Sequence, residues 1–445
     1  MSGGTFISQN KVRPGAYINF KAVPKPLSSL GTRGVVTMPI AMSWGDTITE
    51  LYSTDLIDGT SIAKIGYSFA DAGAKLFRLA LKNCYKAIIY RLDTGGGKAT
   101  ATIGNLTATA KYAGIVGNSI SIIITANGTA FDVATYYAGV LKDKQTLVET
   151  VGDLIANAWV DFSGTAAAAL AANAGTSLTT GTNGTISDAT YTTYLAAMHS
   201  YAWNTMGIPY DSATVNTAVI ADIAAQRDTY GKKVQVVLYN ATVDYEGVIT
   251  CAQGYATAAE TISPTEFIAY LAGLTAGSNV NSSNTYHAIP GAVSITYPSG
   301  VDPYTDVDIL AALALGELVL STRQDGVTVI EQDINSLHTF TVDKPYSFSK
   351  NRVIRTLDEI NNSTALLFQT SYIGKVNNDV NGRNIFKADL IRYLNSLQRM
   401  GAIQNFDSST DILISAGLAI DAVVVDLAIQ PVDAMEKLYM TVSVG

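Results

Sequence analysis

The sequence predicts a multidomain α/β protein carrying an inserted β-rich segment. Three observations carry that reading. Helix-period and strand-period patterns alternate on both sides of residues 93–190. Within 93–190 Ala, Thr and Gly dominate and charged residues are sparser than in the chain as a whole. The chain has 445 residues, 48% of them apolar, enough for several buried cores and too apolar for broad disorder.

The elements follow in order. Residues 1–11 read as an arm. Arg13-Pro14-Gly15 then opens a short strand over 16–20, which Pro24 and Pro26 end. In the region 31–92, residues 34–39 read as a strand and 61–72 as a helix, with Ile62, Ile65 and Phe69 on one stripe. Strands are expected over 75–80 and 85–92. Gly95-Gly96-Gly97 marks a joint. Beyond it, strands over 119–125 and 131–137 flank Asn127-Gly128, a strong hairpin signal, and 145–158 suits a short helix.

The alternation resumes after the insertion. Helices are expected over 191–206 and 215–230, with a strand over 233–239. Ser263-Pro264-Thr265-Glu266 combines a capping box with proline in the first turn and begins a helix. A helix over 306–315 precedes strands over 317–321 and 327–331, joined at Asp325-Gly326. Together these suggest a mostly parallel sheet with helices on both faces. Helices over 351–367 and 385–400 and strands over 419–430 and 438–444 complete the chain.

Composition excludes several function classes. There are 29 Lys and Arg against 37 Asp and Glu, a net charge of -8, which argues against direct nucleic-acid binding. Cys84 and Cys251 are the only cysteines, so no disulfide framework is expected. No charge-free run of 18 apolar residues appears and no basic-plus-apolar leader opens the sequence. Neither membrane insertion nor a signal peptide is expected, and a cytosol-like compartment is. Charged residues make up only 15%, where about 25% is usual. With 24 Tyr against 12 Phe and 3 Trp, such a surface suits coverage by a partner, and copies of itself come first.

Catalytic motifs are weak. Around Gly97-Lys98 the first glycine of a phosphate loop would be Leu92 and the closing Ser or Thr is Ala99. There is no Gly-x-Ser-x-Gly elbow. His199, His287 and His338 are scattered. Asp302 with Asp306, and Asp244 with Glu246, fit caps and solvated turns better than acid pairs. No catalytic residue, cofactor or metal is expected.

The segments at 16–20 and 438–444 are more informative. Each can add its backbone to the sheet of another chain, with Tyr17, Ile18, Phe20, Leu438, Tyr439, Met440 and Val442 filling side-chain pockets. Completing sheets within their own chain is the alternative, and residue types alone leave the two even.

Three stretches resemble one known family. They are Gly3-Gly4-Thr5-Phe6 with Asn10-Lys11-Val12-Arg13-Pro14-Gly15-Ala16-Tyr17-Ile18-Asn19-Phe20, then Asn377-Asn378-Asp379-Val380-Asn381-Gly382-Arg383, then Gln430-Pro431-Val432-Asp433-Ala434-Met435-Glu436-Lys437-Leu438-Tyr439-Met440-Thr441-Val442. The chain is similar throughout to tail sheath proteins of contractile-tailed bacteriophages, in the Gram-positive prophage and R-type bacteriocin (tailocin) branch.

That resemblance implies an N-terminal extended arm and strand (1–30) and an N-terminal α/β region (31–92). It implies an inserted β-sandwich (93–190), a subtilisin-like α/β domain lacking a triad (191–345), and an α+β C-terminal domain with an exchanged terminal strand (346–445). It implies a non-enzymatic subunit of stacked hexameric rings that contract around an inner tail tube protein, bounded by baseplate and tail terminator proteins. Assembly would take place in the bacterial host cytoplasm, giving a virion tail or an extracellular tailocin particle. The tube would be met by 360–381 and the helix over 385–400. Hinges would lie at 23–29, 405–410 and 430–431, and Lys11, Arg13, Asp426, Asp433, Glu436 and Lys437 would pair between subunits. A non-contractile lattice or shell protein, or a hydrolase with a subtilisin-like domain, is the alternative.

Overall fold

In the computed structural model the backbone is described for residues 3–4, 16–17 and 34–444, apart from residues 59, 69 and 94. The chain divides into two compact units, residues 32–361 with 433–445 and residues 1–31 with 362–432.

The larger unit is organised by a six-stranded sheet. Its order is Val248–Cys251, Gln235–Tyr239, Thr205–Ile208, Val35–Ile40, Lys86–Arg91 and Ile48–Tyr52. All neighbours run parallel except the last pair. Such strands are covered on both faces, which is why they read as continuous apolar runs. Successive side chains enter opposite cores. Ala87, Ile89, Val237 and Ile249 enter one, while Ile88, Tyr90, Val236 and Val248 enter the other. The regions 31–92 and 191–345, read separately in the sequence, share this one sheet through the pairing of Thr205 with Val36.

Helix Pro264–Gly277 lies in the first core, with every residue from Phe267 to Ala276 buried. Ser263 Oγ accepts from the Glu266 N–H at 3.3 Å, and the Glu266 carboxylate accepts from the Ser263 N–H at 2.8 Å. Its close neighbour is Lys75–Leu81, a helix where the sequence pattern suggests a strand. Phe77, Ala80 and Leu81 are spaced i, i+3, i+4 and are all buried, so the helical stripe wins over a short apparent alternation. The expected helix over 61–72 is shorter, Ser61–Ile65, and ends at Gly66 with φ +79°. The expected helix over 191–206 is Asp188–Met198, followed by the strand Thr205–Ile208.

Two sheets form the inserted β-sandwich. One orders Val140–Val148, Ala130–Tyr137, Ile120–Asn127 and Asn173–Ser177; the other orders Val160–Gly164, Leu106–Ala113 and Lys98–Ile103. Its core is separate from the two above and contains Trp44, which stacks 5.4 Å from Trp159. The helix expected over 145–158 is absent. Val140–Val148 instead pairs with Ala130–Tyr137, and the Thr150/Asp153 capping box starts only the single turn Val151–Asp153. The glycine joint brings the two ends of the insertion side by side. A Cβ on Gly96 would sit 1.9 Å from the Thr182 carbonyl oxygen, and the Gly97 N–H donates to Thr182 Oγ1 at 2.9 Å.

The smaller unit contains the second half of helix Asn351–Ser371 and the helix Val380–Arg399. The latter starts five residues before the expected 385, because Asp379 Oδ1 accepts from the Gly382 N–H at 2.7 Å and caps it. Phe386, Leu390, Tyr393, Leu394 and Leu397 form its buried stripe. Ile412–Ala416 and Val423–Leu427 make an antiparallel hairpin. The latter is shorter than the strand expected over 419–430. Gln430–Pro431, expected to be a hinge, pairs with Ile403–Gln404.

Candidate assembly interface

The strand expected over 438–444 takes up no pairing among the described residues. Its apolar side chains face solvent: Leu438 is 85% exposed, Met440 73% and Val442 69%, and Tyr439 is 89% exposed. A row of free backbone groups with apolar side chains is an open edge. At the other end, the backbone of Gly3–Gly4 pairs in parallel with Ala16–Tyr17. Ile18, Phe20 and the Tyr17 side chain lie outside the described residues.

In the smaller unit, each strand of the Ile412–Ala416/Val423–Leu427 hairpin has only the other as partner among the described residues. Leu413, Val424, Leu418 and Ile420 are exposed on it, while Ile412 is buried. Asn378 holds the tip: its Nδ2 donates to the carbonyls of Ile420 at 2.9 Å and Ala422 at 2.8 Å. Neither Asn378 nor this role was legible beyond the family-like Asn377-Asn378-Asp379 run.

The helix Val380–Arg399 buries one stripe and leaves Val380, Ile385 and Arg392 exposed. Beneath it, Tyr372 OH donates to Asp389 Oδ2 at 2.6 Å, and Tyr372 packs 4.7 Å from Phe386. Burial and the Asp389 carboxylate push the Tyr372 phenol far above its ordinary range, so it stays a donor.

Most acid–base candidates have structural partners. His199 Nε2 lies 2.6 Å from Asp222 Oδ1, Tyr270 OH lies 3.2 Å from His287 Nε2, and His338 Nδ1 lies 2.9 Å from the Ser336 carbonyl. Glu246 accepts from Lys344 at 3.0 and 2.9 Å, and Asp244 accepts from the His338 N–H at 2.8 Å. Asp306 begins the helix Asp306–Ala314. Among the described residues no three His, Cys, Asp or Glu side chains converge to hold a metal ion.

Glu436, expected to pair between subunits, has partners within its own chain. Its carboxylate lies 2.5 Å from Lys350 Nζ and accepts from Thr285 Oγ1 at 2.7 Å, within the same chain. Sequence spacing held no signal for it, since the partners lie 86 and 151 residues away.

Comparison with known proteins gives this arrangement its context. Residues 94–183 match the phage tail sheath protein beta-sandwich domain, 184–336 its central domain and 343–445 the phage tail sheath C-terminal domain. The PBSX phage-like element protein XkdK of Bacillus subtilis is 35% identical, with both chains covered completely. The sheath tail protein of Desulfitobacterium hafniense superposes with a TM-score of 0.81 at 40% identity, covering 96% of this chain and 99% of that one. That of Listeria innocua gives 0.82 at 34% identity, covering 93% and 95%. The contracted helical sheath of the anti-feeding prophage shares the fold, with a TM-score of 0.58 at 13% identity, covering 97% and 99%. The chain therefore belongs to the phage tail sheath protein family, as a structural subunit of a tail sheath.

Proposed function

We propose that this subunit builds stacked hexameric rings around an inner tube and is knitted to its neighbours by exchanged terminal strands. The observation that carries the reading is the exposed apolar segment 438–444, in a chain whose C-terminal hairpin also has edges left unpaired among the described residues. Tyr17, Ile18 and Phe20 from one end and Leu438, Tyr439, Met440 and Val442 from the other supply the exchanged strands. Main-chain hydrogen bonds give the attachment, and the alternating side chains give register. A contact repeated with an axial advance generates a helical tube rather than a closed ring.

On this reading residues 1–30 are an arm, 31–92 and 191–345 form the scaffold, 93–190 the insertion and 346–445 the C-terminal domain. The scaffold is a subtilisin-like fold that has no triad. The sheath assembles in the host cytoplasm between a baseplate and a tail terminator, and works in a virion tail or a released tailocin particle. Contraction shortens and widens it and drives the tube through a target envelope.

The inner tube meets the C-terminal domain through 360–381 and the helix Val380–Arg399. That helix carries Arg383, Lys387, Arg392 and Arg399 against Asp389 alone, and Asp389 is bound to Tyr372. A basic, lightly apolar face suits a weak electrostatic contact that can let go.

Negative-stain microscopy of the purified protein tests the reading. Stacked rings, or hollow tubes of two diameters, are expected; flat sheets or closed shells would favour a static lattice. Removing 1–20 or 438–445 is expected to leave a folded subunit that forms no tubes. Tubes assembled from either truncated chain would overturn strand exchange.

A further inference from the structure

The C-terminal segment is tied down at one side chain before it runs free. Glu436 is 11% exposed at its side chain, and its partner Lys350 is 4% exposed. Besides its bond to Glu436, Thr285 Oγ1 accepts from the Asp333 N–H at 2.9 Å. Lys350 Nζ also sits 5.4 Å from the Tyr346 ring centroid and 3.4 Å from Gln332 Oε1. All these residues lie in the larger unit, which also takes in 433–445, although residues 362–432 belong to the smaller one. From Lys437 to Val444 every residue is exposed.

We propose that the Lys350–Glu436–Thr285 clasp is a positioning device, setting where the exchanged strand begins and which face it presents to a neighbouring copy. The consequence for assembly rests on the strand-exchange reading above. The argument is one of phase. In an extended chain side chains alternate, so Leu438, Met440, Val442 and Val444 share the side of Glu436, while Tyr439, Thr441 and Ser443 take the other. A one-residue slip reverses every side chain. Fixing Glu436 removes that freedom before the neighbour is met, and leaves about 26 Å of reach from 436 to 444 at roughly 3.3 Å per residue. Both the ammonium and the carboxylate lose most of their water, so the clasp is stable only while each has the other.

Trypsin reads the clasp directly. Cleavage after Lys437 requires the residues on both sides to enter the protease cleft extended, so Glu436 must first leave its site. In the unassembled full-length subunit, Glu436→Ala and Lys350→Met are each expected to speed this nick at least about tenfold. The double variant is expected to be no faster than either single one, because both break the same contact. Far-UV circular dichroism checks that the variants remain folded. With the arm present but unclasped, assembly is expected to give fewer and shorter tubes. Unchanged nicking in both folded variants, or additive acceleration in the double variant, would overturn the clasp. A chain lacking 438–444 separates the two ideas: if it still forms tubes, strand exchange fails, while the nicking rates still decide the clasp.

Discussion

Arg227 and Asp358 form a buried two-bond pair, Nη1 to Oδ2 at 2.7 Å and Nη2 to Oδ1 at 3.0 Å, with side chains 3% and 9% exposed. Arg227 Nη1 also donates to the Val234 carbonyl at 2.8 Å. The pair fastens the start of helix Asn351–Ser371 to the turn after helix Ala213–Ala224. Three residues earlier on the same helix, Arg355 makes a second buried pair with Asp333 at 3.2 Å.

Removing one partner leaves the other charged and dry. Asp358→Ala is expected to destabilise the larger unit by about 3–5 kcal/mol. Replacing both residues, Arg227→Met with Asp358→Leu, is expected to cost less than the single change. Urea unfolding followed by tryptophan fluorescence measures both; a double variant weaker than Asp358→Ala would contradict this account.

Gly273 faces the backbone of Ala80, and an added Cβ would lie 2.1 Å from the Ala80 carbonyl oxygen. Backbone cannot step aside as a flexible side chain can. Gly273→Ala is expected to cost roughly 1–3 kcal/mol despite alanine's better helix propensity. A rise in melting temperature would show that the two helices separate without penalty.

Burial raises the pKa of Glu317 above the ordinary carboxylate value, and the bond from the Ala252 N–H at 3.2 Å only partly opposes it. The folded state therefore holds this proton more tightly than the unfolded chain does. Between the two pKa values stability falls as pH rises, and above the folded pKa the penalty is constant. Glu317→Gln is expected to raise the melting temperature at neutral pH and to make little difference below about pH 4. A gain confined to acid pH would reverse the assignment.

Asn378 contributes two side-chain bonds to the turn between the hairpin strands. Asn378→Ala is expected to loosen residues 417–422 by about 1–2 kcal/mol, leaving the helix Val380–Arg399 intact. Amide hydrogen exchange resolves the two, since the turn is expected to exchange faster while the helix keeps its protection.

Much of the architecture follows from local rules that the sequence displays. Asn127-Gly128 turns the hairpin between Ile120–Asn127 and Ala130–Tyr137, and Ser263-Pro264-Thr265-Glu266 starts the central helix. Such signals are read within a few residues, because turn geometry and capping bonds are local. The segment Lys75–Leu81 was not legible in this way, since seven residues fit either period and only the seat beneath Pro264–Gly277 selects the helix.

By itself the sequence determined the capped start of the helix Pro264–Gly277, the Asn127-Gly128 hairpin turn, the Ala-, Thr- and Gly-rich insertion and the apolar character of the two end segments. Tertiary structure decided which distant pieces share a sheet, and it turned Glu436 from a surface charge into a partly buried anchor beside Lys350 and Thr285. The physical reason is range. Periodicity and capping act over a few residues, whereas the burial of an ion pair depends on what folding brings to it from far along the chain.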